Sequence, residues 1–439
     1  MDESLRRVFP RTAVFEHGRL MAVGGVDVEA LAAEHGTPLW VLDRHELVSR
    51  MRAYREAFGD DVGVIYAAKA LSVTGVLQLA AREGLMVDVA SGGELRSAEV
   101  AGVPMASVVF HGNNKSVEEL EHAARTGVGR VVVDSFTELE RLADVAARTG
   151  HTFRVQLRVT PGVDTDTHAH IRTGHDDSKF GFTLSTGLAD EAVDRAVALP
   201  GVELVGLHSH VGSQILAGDA FESAVTAMVE LLVRMRLRHG VELPELNLGG
   251  GLGIAYLRDD LPVPIEEYAR RLLAAVDAEC ASLGVPRPRL FVEPGRSIAG
   301  PAGLTLYRVG TVKDIPGVNT YVAIDGGMSD NPRPALYGAR YEFVPAGPGK
   351  PVEQTRAVAI AGKHCETGDV LARDVALPVD LAEGELLAVA ATGAYNQAMA
   401  SNYNRLPRPA MVLAGDGRAD LLLRRETLDD LLAHDVPLP

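Results

Sequence analysis

Apolar residues along this chain follow two alternating rhythms. Short β-branched runs at 62 to 68 (VGVIYAA), 85 to 90 (LMVDVA), 107 to 111 (SVVFH), 129 to 134 (GRVVVD), 153 to 159 (FRVQLRV), 203 to 210 (ELVGLHSH), 245 to 249 (ELNLG) and 289 to 293 (RLFVE) read as buried strands. Between them, apolar residues recur at helical spacing, as in 116 to 126, 136 to 149, 219 to 239 and 265 to 284, with Ser, Asp or Pro near each start and glycine near several ends. A further helix is predicted over 43 to about 58, with Asp43 as its N-cap. Eight strands alternating with helices over roughly 250 residues predict an α/β fold, a parallel (β/α)8 barrel.

After Gly295 the texture changes. Residues 305 to 315, 320 to 325, 355 to 361, 386 to 392 and 410 to 425 are strand-like, and Gly415-Asp416-Gly417 reads as a hairpin turn. Residues 8 to 36 read as short strands and a brief helix, DVEALAAEHG, that Gly36 ends. The expected division is a barrel domain over 38 to 294 and a second, mostly β domain formed by 1 to 37 with 295 to 439. An irregular stretch from 160 to about 184 is too long for an ordinary connection, and loops of that length usually act as lids or contact loops.

Composition narrows the classes. A hydrophobic share of 46% and a charged share of 23% fit a globular protein, and a net charge of −16 argues against nucleic-acid or anionic-membrane partners. The N-terminal MDESLRRVFP lacks an apolar core and no run of 18 apolar residues occurs, so neither an export signal nor a membrane span is expected. Cys280 and Cys365 are the only cysteines. A reducing, cytoplasmic setting without a disulfide framework or cysteine metal site follows.

The active site of such a barrel lies at the C-terminal ends of its strands. There the sequence places Lys69 after the first strand, Asp88 with Ser91 to Glu94 at the second, His111 to Asn114 after the third, and His208, His210 and Ser213 at the sixth. Gly249, Gly250 and Gly251 follow the seventh, and Glu293, Pro294, Gly295 and Arg296 the eighth. A lysine flanked by Tyr66 and alanines is expected to be partly desolvated, which lowers its pKa and makes it a Schiff-base former; a snorkelling lysine would look the same on this stretch alone. A glycine run lets backbone N–H groups approach a phosphate, although such a run is more often a turn. Together, lysine and phosphate cradle suggest pyridoxal 5'-phosphate, with Glu293 at its ring nitrogen and either His208 or His210 against its face. Glu293 could equally cap a helix or pair with Arg296. In the second domain, Cys365 among Lys363 to Asp369 reads as an exposed, reactive thiol. Arg333, Tyr337 and Tyr395 sit at loop positions suited to carboxylate or phosphate contacts. Histidines 168, 170 and 175 lack a zinc-motif spacing, so no metal is expected.

The motifs YAAKA, DVASGGEL, HGNNKS, TGHDDSKFGF, GLHSHVGSQ, NLGGGLGI, EPGRSI, RPALYGA, CETGDVL, GAY and SNYN occur in that order across almost the whole chain. In this the chain resembles the fold-type III pyridoxal-phosphate decarboxylases. The resemblance implies that Lys69 holds the cofactor as a Schiff base, His210 stacks on its ring and Glu293 contacts its nitrogen. It gives Ser213, Gly250, Gly251, Arg296 and Tyr395 to the phosphate or the substrate. It implies Cys365 as the acid that reprotonates the substrate after CO2 leaves, delivered from the partner subunit of an obligate head-to-tail homodimer. The implied reaction is decarboxylation of meso-diaminopimelate to L-lysine, with Arg333 and Tyr337 for the distal carboxylate and Glu366 for the distal ammonium. Thr367, where serine is common, and NRLPRP in place of NSRPRP depart from the pattern. Decarboxylation of another amino acid, such as carboxynorspermidine, ornithine or arginine, or cofactor binding without turnover, are the competing readings. Racemases of this fold resemble one another in an arginine at the ring nitrogen, where this chain has Glu293.

Overall fold

The computed structural model describes residues 4–162, 178–216 and 219–439. Most of the irregular 160 to 184 stretch, including histidines 168, 170 and 175, lies outside the described residues. Two compact units are present, one formed by Arg50–Gly253 with Pro262–Ser297, the other by Met1–Ser49, Ile254–Leu261 and Ile298–Pro439.

The first unit is a closed parallel barrel. Its strands are β1 (Gly63–Ala67), β2 (Met86–Val89), β3 (Val108–Phe110), β4 (Arg130–Val133), β5 (Phe153–Thr160), β6 (Val202–Ser209), β7 (Glu245–Asn247) and β8 (Arg289–Val292). Each pairs in parallel with the next, and Phe291 and Val292 of β8 pair with Gly63 and Val64 of β1 to close the ring. All eight coincide with the apolar runs in the sequence. Ile65, Val109, Val132 and Phe291 fill the interior, with Met86 packed against them; burying each contributes roughly 1.5–3 kcal/mol. The helices carry their own stop and start signals. Val117–Thr126 opens with a reciprocal Ser116/Glu119 capping box and ends at left-handed Gly127, and Phe136–Thr149 opens on Ser135 and ends at left-handed Gly150.

Polar residues also enter the barrel. Arg130 makes two hydrogen bonds to Glu245, at 2.7 and 2.6 Å, and its guanidinium lies 4.9 Å from the Phe291 ring centre. Gln156 Nε2 donates to Glu245 at 2.9 Å. A buried charge pair of this kind survives because its remaining hydrogen-bonding positions are filled.

The second unit is a curled, mostly β sheet running in the order Val14–Glu16, Arg19–Val23, Phe343–Ala346, Leu386–Val389, Gly303–Ile315, Asn319–Ile324, Thr355–Ala361, Val370–Pro378. The predicted hairpin joins Ala410–Gly415 to Arg418–Leu423, with Asp416 and Gly417 both at positive φ, as a tight two-residue turn requires. Phe343–Ala346, Val370–Pro378 and Leu39–Asp43 were not anticipated. Leu39–Asp43 pairs with Gly303–Ile315 and Ala410–Gly415, so residues up to Ser49 belong with this unit rather than the barrel, as do Ile254–Leu261. Asp43 ends that strand and still caps the following helix, Arg44–Phe58, through Oδ1 to the Glu46 amide at 2.6 Å. No helix among the described residues is long and apolar enough to cross a membrane.

Candidate active site

Glu293 stands at the C-terminal end of β8 and is surrounded by donors. Its Oε1 accepts from Asn247 Nδ2 at 2.8 Å and lies 2.9 Å from His111 Nε2; its Oε2 lies 3.2 Å from His208 Nε2. The two imidazoles meet edge to face, with ring centres 5.0 Å apart. Burial pushes both histidines below the ordinary imidazole range, His208 to about 4, so both are neutral at neutral pH. Burial opposes ionisation of Glu293, but the two imidazoles outweigh it and hold the carboxyl well below the usual carboxylate range. The three residues gather nitrogen and oxygen donors within 4.8 Å of one another. His208 Nε2 is hydrogen-bonded to Glu293 and His111 Nε2 stands 2.9 Å from it, so the two imidazoles close on the carboxylate as a clamp.

Asp88, in β2, is also buried, and burial raises its pKa well above the ordinary value; Lys69 works against that rise, while Glu293 and Glu94 add to it. The Ala68 amide donates to Asp88 Oδ1 at 3.1 Å, which fixes the backbone next to Lys69. Ala67 N donates to the Pro294 carbonyl at 3.1 Å, tying the end of β1 to the end of β8. Lys69 itself corrects an expectation: its neighbours Ala68 and Ala70 are fully buried, yet the lysine is exposed, because alanines are too small to cover its four-carbon stem. Its charge acts on the nearby Asp88 and Glu94 carboxyls, opposing the rise that burial imposes on each.

The glycine run acts first through its lack of side chains. A Cβ on Gly250 would stand 2.1 Å from the Glu293 carbonyl oxygen, so the loop after β7 can press against β8 only with glycine there. The Gly249 amide donates to Asn247 Oδ1 at 3.0 Å and the Gly250 amide to His210 Nδ1 at 3.2 Å. Two N–H groups expected to face a phosphate are thus engaged within the site, and their role here is to fix the Asn247 and His210 side chains. Burial, with Lys69 and Arg158 close by, lowers the His210 pKa well below its ordinary value. A neutral ring of that kind is suited to lie against an aromatic face. Arg296 donates from Nη2 to Ser213 Oγ at 2.8 Å, joining the loops after β6 and β8. Gly251 follows in the same loop and Gly295 packs closely on Ala67.

In the β unit, Arg333 and Tyr337 bracket the short helix Arg333–Tyr337. Arg333 is buried, donates to the Tyr341 hydroxyl at 2.5 Å and lies 4.5 Å from the Tyr256 ring centre. The aromatic partners that hold it are these two tyrosines, which the sequence reading did not single out. Cys365 is exposed, as expected, and so is Glu366. The cysteine amide donates to Asn404 Oδ1 at 2.8 Å. Next to it, buried His364 pairs through Nδ1 with Asp369 at 2.7 Å and stacks on Tyr403 with rings 8° from parallel. Tyr395 is partly buried and held at a φ of 60°.

Two contributors escaped the sequence reading. Asn247 passed as one polar residue in the apolar run ELNLG. Arg158, at the end of β5, lies 4.2 Å from the Phe180 ring centre and 3.6 Å from Asp134; an arginine inside a buried run was its only signal. His111 stood among the strand-end residues without a role, and His208 only as the alternative to His210 at the cofactor's face.

A chemistry of this kind has a counterpart among known proteins. The family model for the pyridoxal-binding domain of pyridoxal-dependent decarboxylases matches residues 44–300. The chain belongs to the pyridoxal-dependent decarboxylases. Within that family it is 46% identical to the diaminopimelate decarboxylase of Bacillus subtilis over 96% of each chain, and 46% identical to that of Mycobacterium tuberculosis over 98% of each. Among solved structures, a diaminopimelate decarboxylase from M. jannaschii in co-complex with L-lysine superimposes with a TM-score of 0.90 at 34% identity, covering 98% of both chains. As a member of this family the chain is a carboxy-lyase that uses pyridoxal phosphate. The residues present fit that cofactor: an anionic carboxylate held for a ring N–H, a neutral histidine beside it, a lysine at a strand end, and a glycine loop that any side chain would obstruct.

Proposed function

We propose that this decarboxylase converts meso-diaminopimelate to L-lysine and CO2, as a soluble cytoplasmic enzyme of lysine biosynthesis. The observation that carries the reading is that the likeness to diaminopimelate decarboxylases extends over 96% to 98% of both chains, so it includes the β unit with Arg333, Cys365 and Glu366 as well as the barrel.

Lys69 would hold the cofactor covalently through Nζ, Glu293 would face its ring nitrogen and His210 its ring. Gly249, Gly250, Gly251, Ser213, Arg296 and Tyr395 would surround its phosphate, with Asp88, Pro294 and Gly295 shaping the walls. Pyridoxal phosphate, when bound, supplies the sink for the electron pair left as CO2 departs. Glu293 keeps a negative charge beside the ring nitrogen. Arg333, with Tyr337, binds the distal carboxylate of the substrate and Glu366 its distal ammonium, which positions the other end for bond cleavage. Cys365 then gives its Sγ proton to the α carbon; one C–C bond breaks, one C–H bond forms, and the thiol is restored from solvent. In this reading the exposed cysteine loop serves the partner's site, and the working unit is a homodimer.

Assay of CO2 and lysine from purified protein supplied with meso-diaminopimelate tests the substrate. Turnover of ornithine or lysine in its place would overturn it.

A further inference from the structure

We infer that His111 and His208, together with Asn247, are positioning residues that keep Glu293 ionised and thereby keep a proton on the ring nitrogen of the bound cofactor. The inference rests on the proposed role of Glu293 at that nitrogen and extends it to groups that never touch the cofactor.

The nitrogen groups gathered around the carboxylate carry the argument. A carboxylate offers about four acceptor positions. Two around Glu293 are taken by hydrogen bonds, from Asn247 at 2.8 Å and His208 at 3.2 Å, and His111 Nε2 stands 2.9 Å from the same carboxylate. Acceptor capacity is left for a single ring N–H. With its side chain 3% exposed, Glu293 has little water to stabilise its charge, and an ionised carboxyl in such a place persists only where protein donors replace the water.

The histidines are suited to donate and unsuited to compete. His208 Nδ1 is buried with no hydrogen-bond partner among the described residues. A charged imidazolium would need an acceptor at that nitrogen, whereas a neutral ring protonated at Nε2 leaves only a bare lone pair there. The Nε2–H then points at Glu293, and burial keeps the ring neutral. Asn247 is itself fixed from below, its Nδ2 lying 3.3 Å from Gln156 Oε1, which belongs to the Arg130–Glu245 cluster. Asp88, Arg158 and His210 also face this carboxylate. Asp88 is the one that would repel its charge, and its own raised pKa reduces that repulsion.

The test is the ¹⁵N resonance of ring-labelled pyridoxal phosphate in the loaded protein, which separates a protonated from an unprotonated pyridine nitrogen, followed between about pH 6 and 9. The wild-type protein is expected to hold the protonated signal throughout. His208→Ala and the double variant His111→Ala/His208→Ala are expected to move toward the unprotonated signal as pH rises, and His208→Gln, which restores an N–H donor, to stay with the wild type. Glu293→Gln separates the two claims: if it leaves the signal unchanged, the carboxylate does not face the ring nitrogen and the proposed role fails. If Glu293→Gln loses the proton while both histidine variants keep it, the clamp is refuted. Loss of the cofactor from His208→Gln would refute it too, since that variant supplies the same donor.

Discussion

Lys115 Nζ lies 2.6 Å from Glu138 Oε1, and both side chains are almost wholly excluded from solvent, at 1% and 3% exposure. The ammonium also donates to the carbonyls of Gly112 at 2.7 Å and Val132 at 2.8 Å. Two of its protons go to these carbonyls while its charge pairs with Glu138, and the loop that carries His111 is fastened to β4. Burial raises the Glu138 pKa, and Lys115 with the Asp134 amide opposes that rise.

From this pair follows a stability prediction. Lys115→Met leaves Glu138 buried without its cation, and breaking such a pair from one side costs about 3–5 kcal/mol. Chemical denaturation should show that loss, and pairing Lys115→Met with Glu138→Leu should recover most of it. A single variant as stable as wild type would mean that the pair contributes little.

The cysteine loop yields a kinetic one. Asp369 accepts from the His364 amide at 2.9 Å, from His364 Nδ1 at 2.7 Å and from the Met328 amide at 2.7 Å, while Asn404 holds the Cys365 amide. If Cys365 supplies the proton, Cys365→Ala should lower kcat by roughly 10²–10⁴, the usual worth of a positioned acid. Asp369→Asn should lower it by a smaller factor, since it loosens the loop and leaves the thiol in place. A Cys365→Ala kcat within a few-fold of wild type would assign the proton elsewhere.

Substrate selection should depend on Arg333. Its guanidinium is held between Tyr256 and Tyr341, which presents it in one orientation. A hydrogen bond to a charged group is worth about 1.5–3 kcal/mol, so Arg333→Met should reduce kcat/KM for meso-diaminopimelate by roughly 10- to 150-fold. Equal kcat/KM in variant and wild type would remove Arg333 from the distal carboxylate.

A pH effect on stability is expected from Asp330. Burial raises its pKa to about 7, against the hydrogen bonds it accepts from Tyr307 and the Gly327 amide, and with Asp325 and Asp369 adding to the rise. A carboxyl whose pKa is higher in the folded chain binds more protons folded than unfolded. Its contribution is complete below the unfolded value near 4 and is lost as pH rises to about 7. The stability of wild type relative to Asp330→Asn should therefore fall between about pH 4 and 7. A flat difference would show that Asp330 is ionised throughout the fold.

Much of this was legible in the sequence because barrel strands are buried on both faces and read as unbroken apolar runs. The eight strands and the set of polar residues at their ends follow from that, and Asp43, Ser116 and Ser135 mark helix starts by local chemistry alone. Leu39–Asp43 was missed because a five-residue run beside a helix cap has no periodicity of its own to mark it as a strand. Phe343–Ala346 contains Pro345, and Val370–Pro378 is interrupted by Arg373 and Asp374. The clamp on Glu293 joins residues 46 to 182 positions apart, and no local pattern reports such a meeting. The exposure of Lys69 was misjudged from its neighbours, because small side chains beside a long one leave it uncovered.

The most direct test of the central claim is to reduce the pyridoxal phosphate-loaded protein with borohydride and map the modified peptide. The prediction is a single pyridoxyl label on Lys69, absent from Lys69→Ala, in protein that forms lysine and CO2 from meso-diaminopimelate. A label on another lysine, or none in active protein, would contradict it.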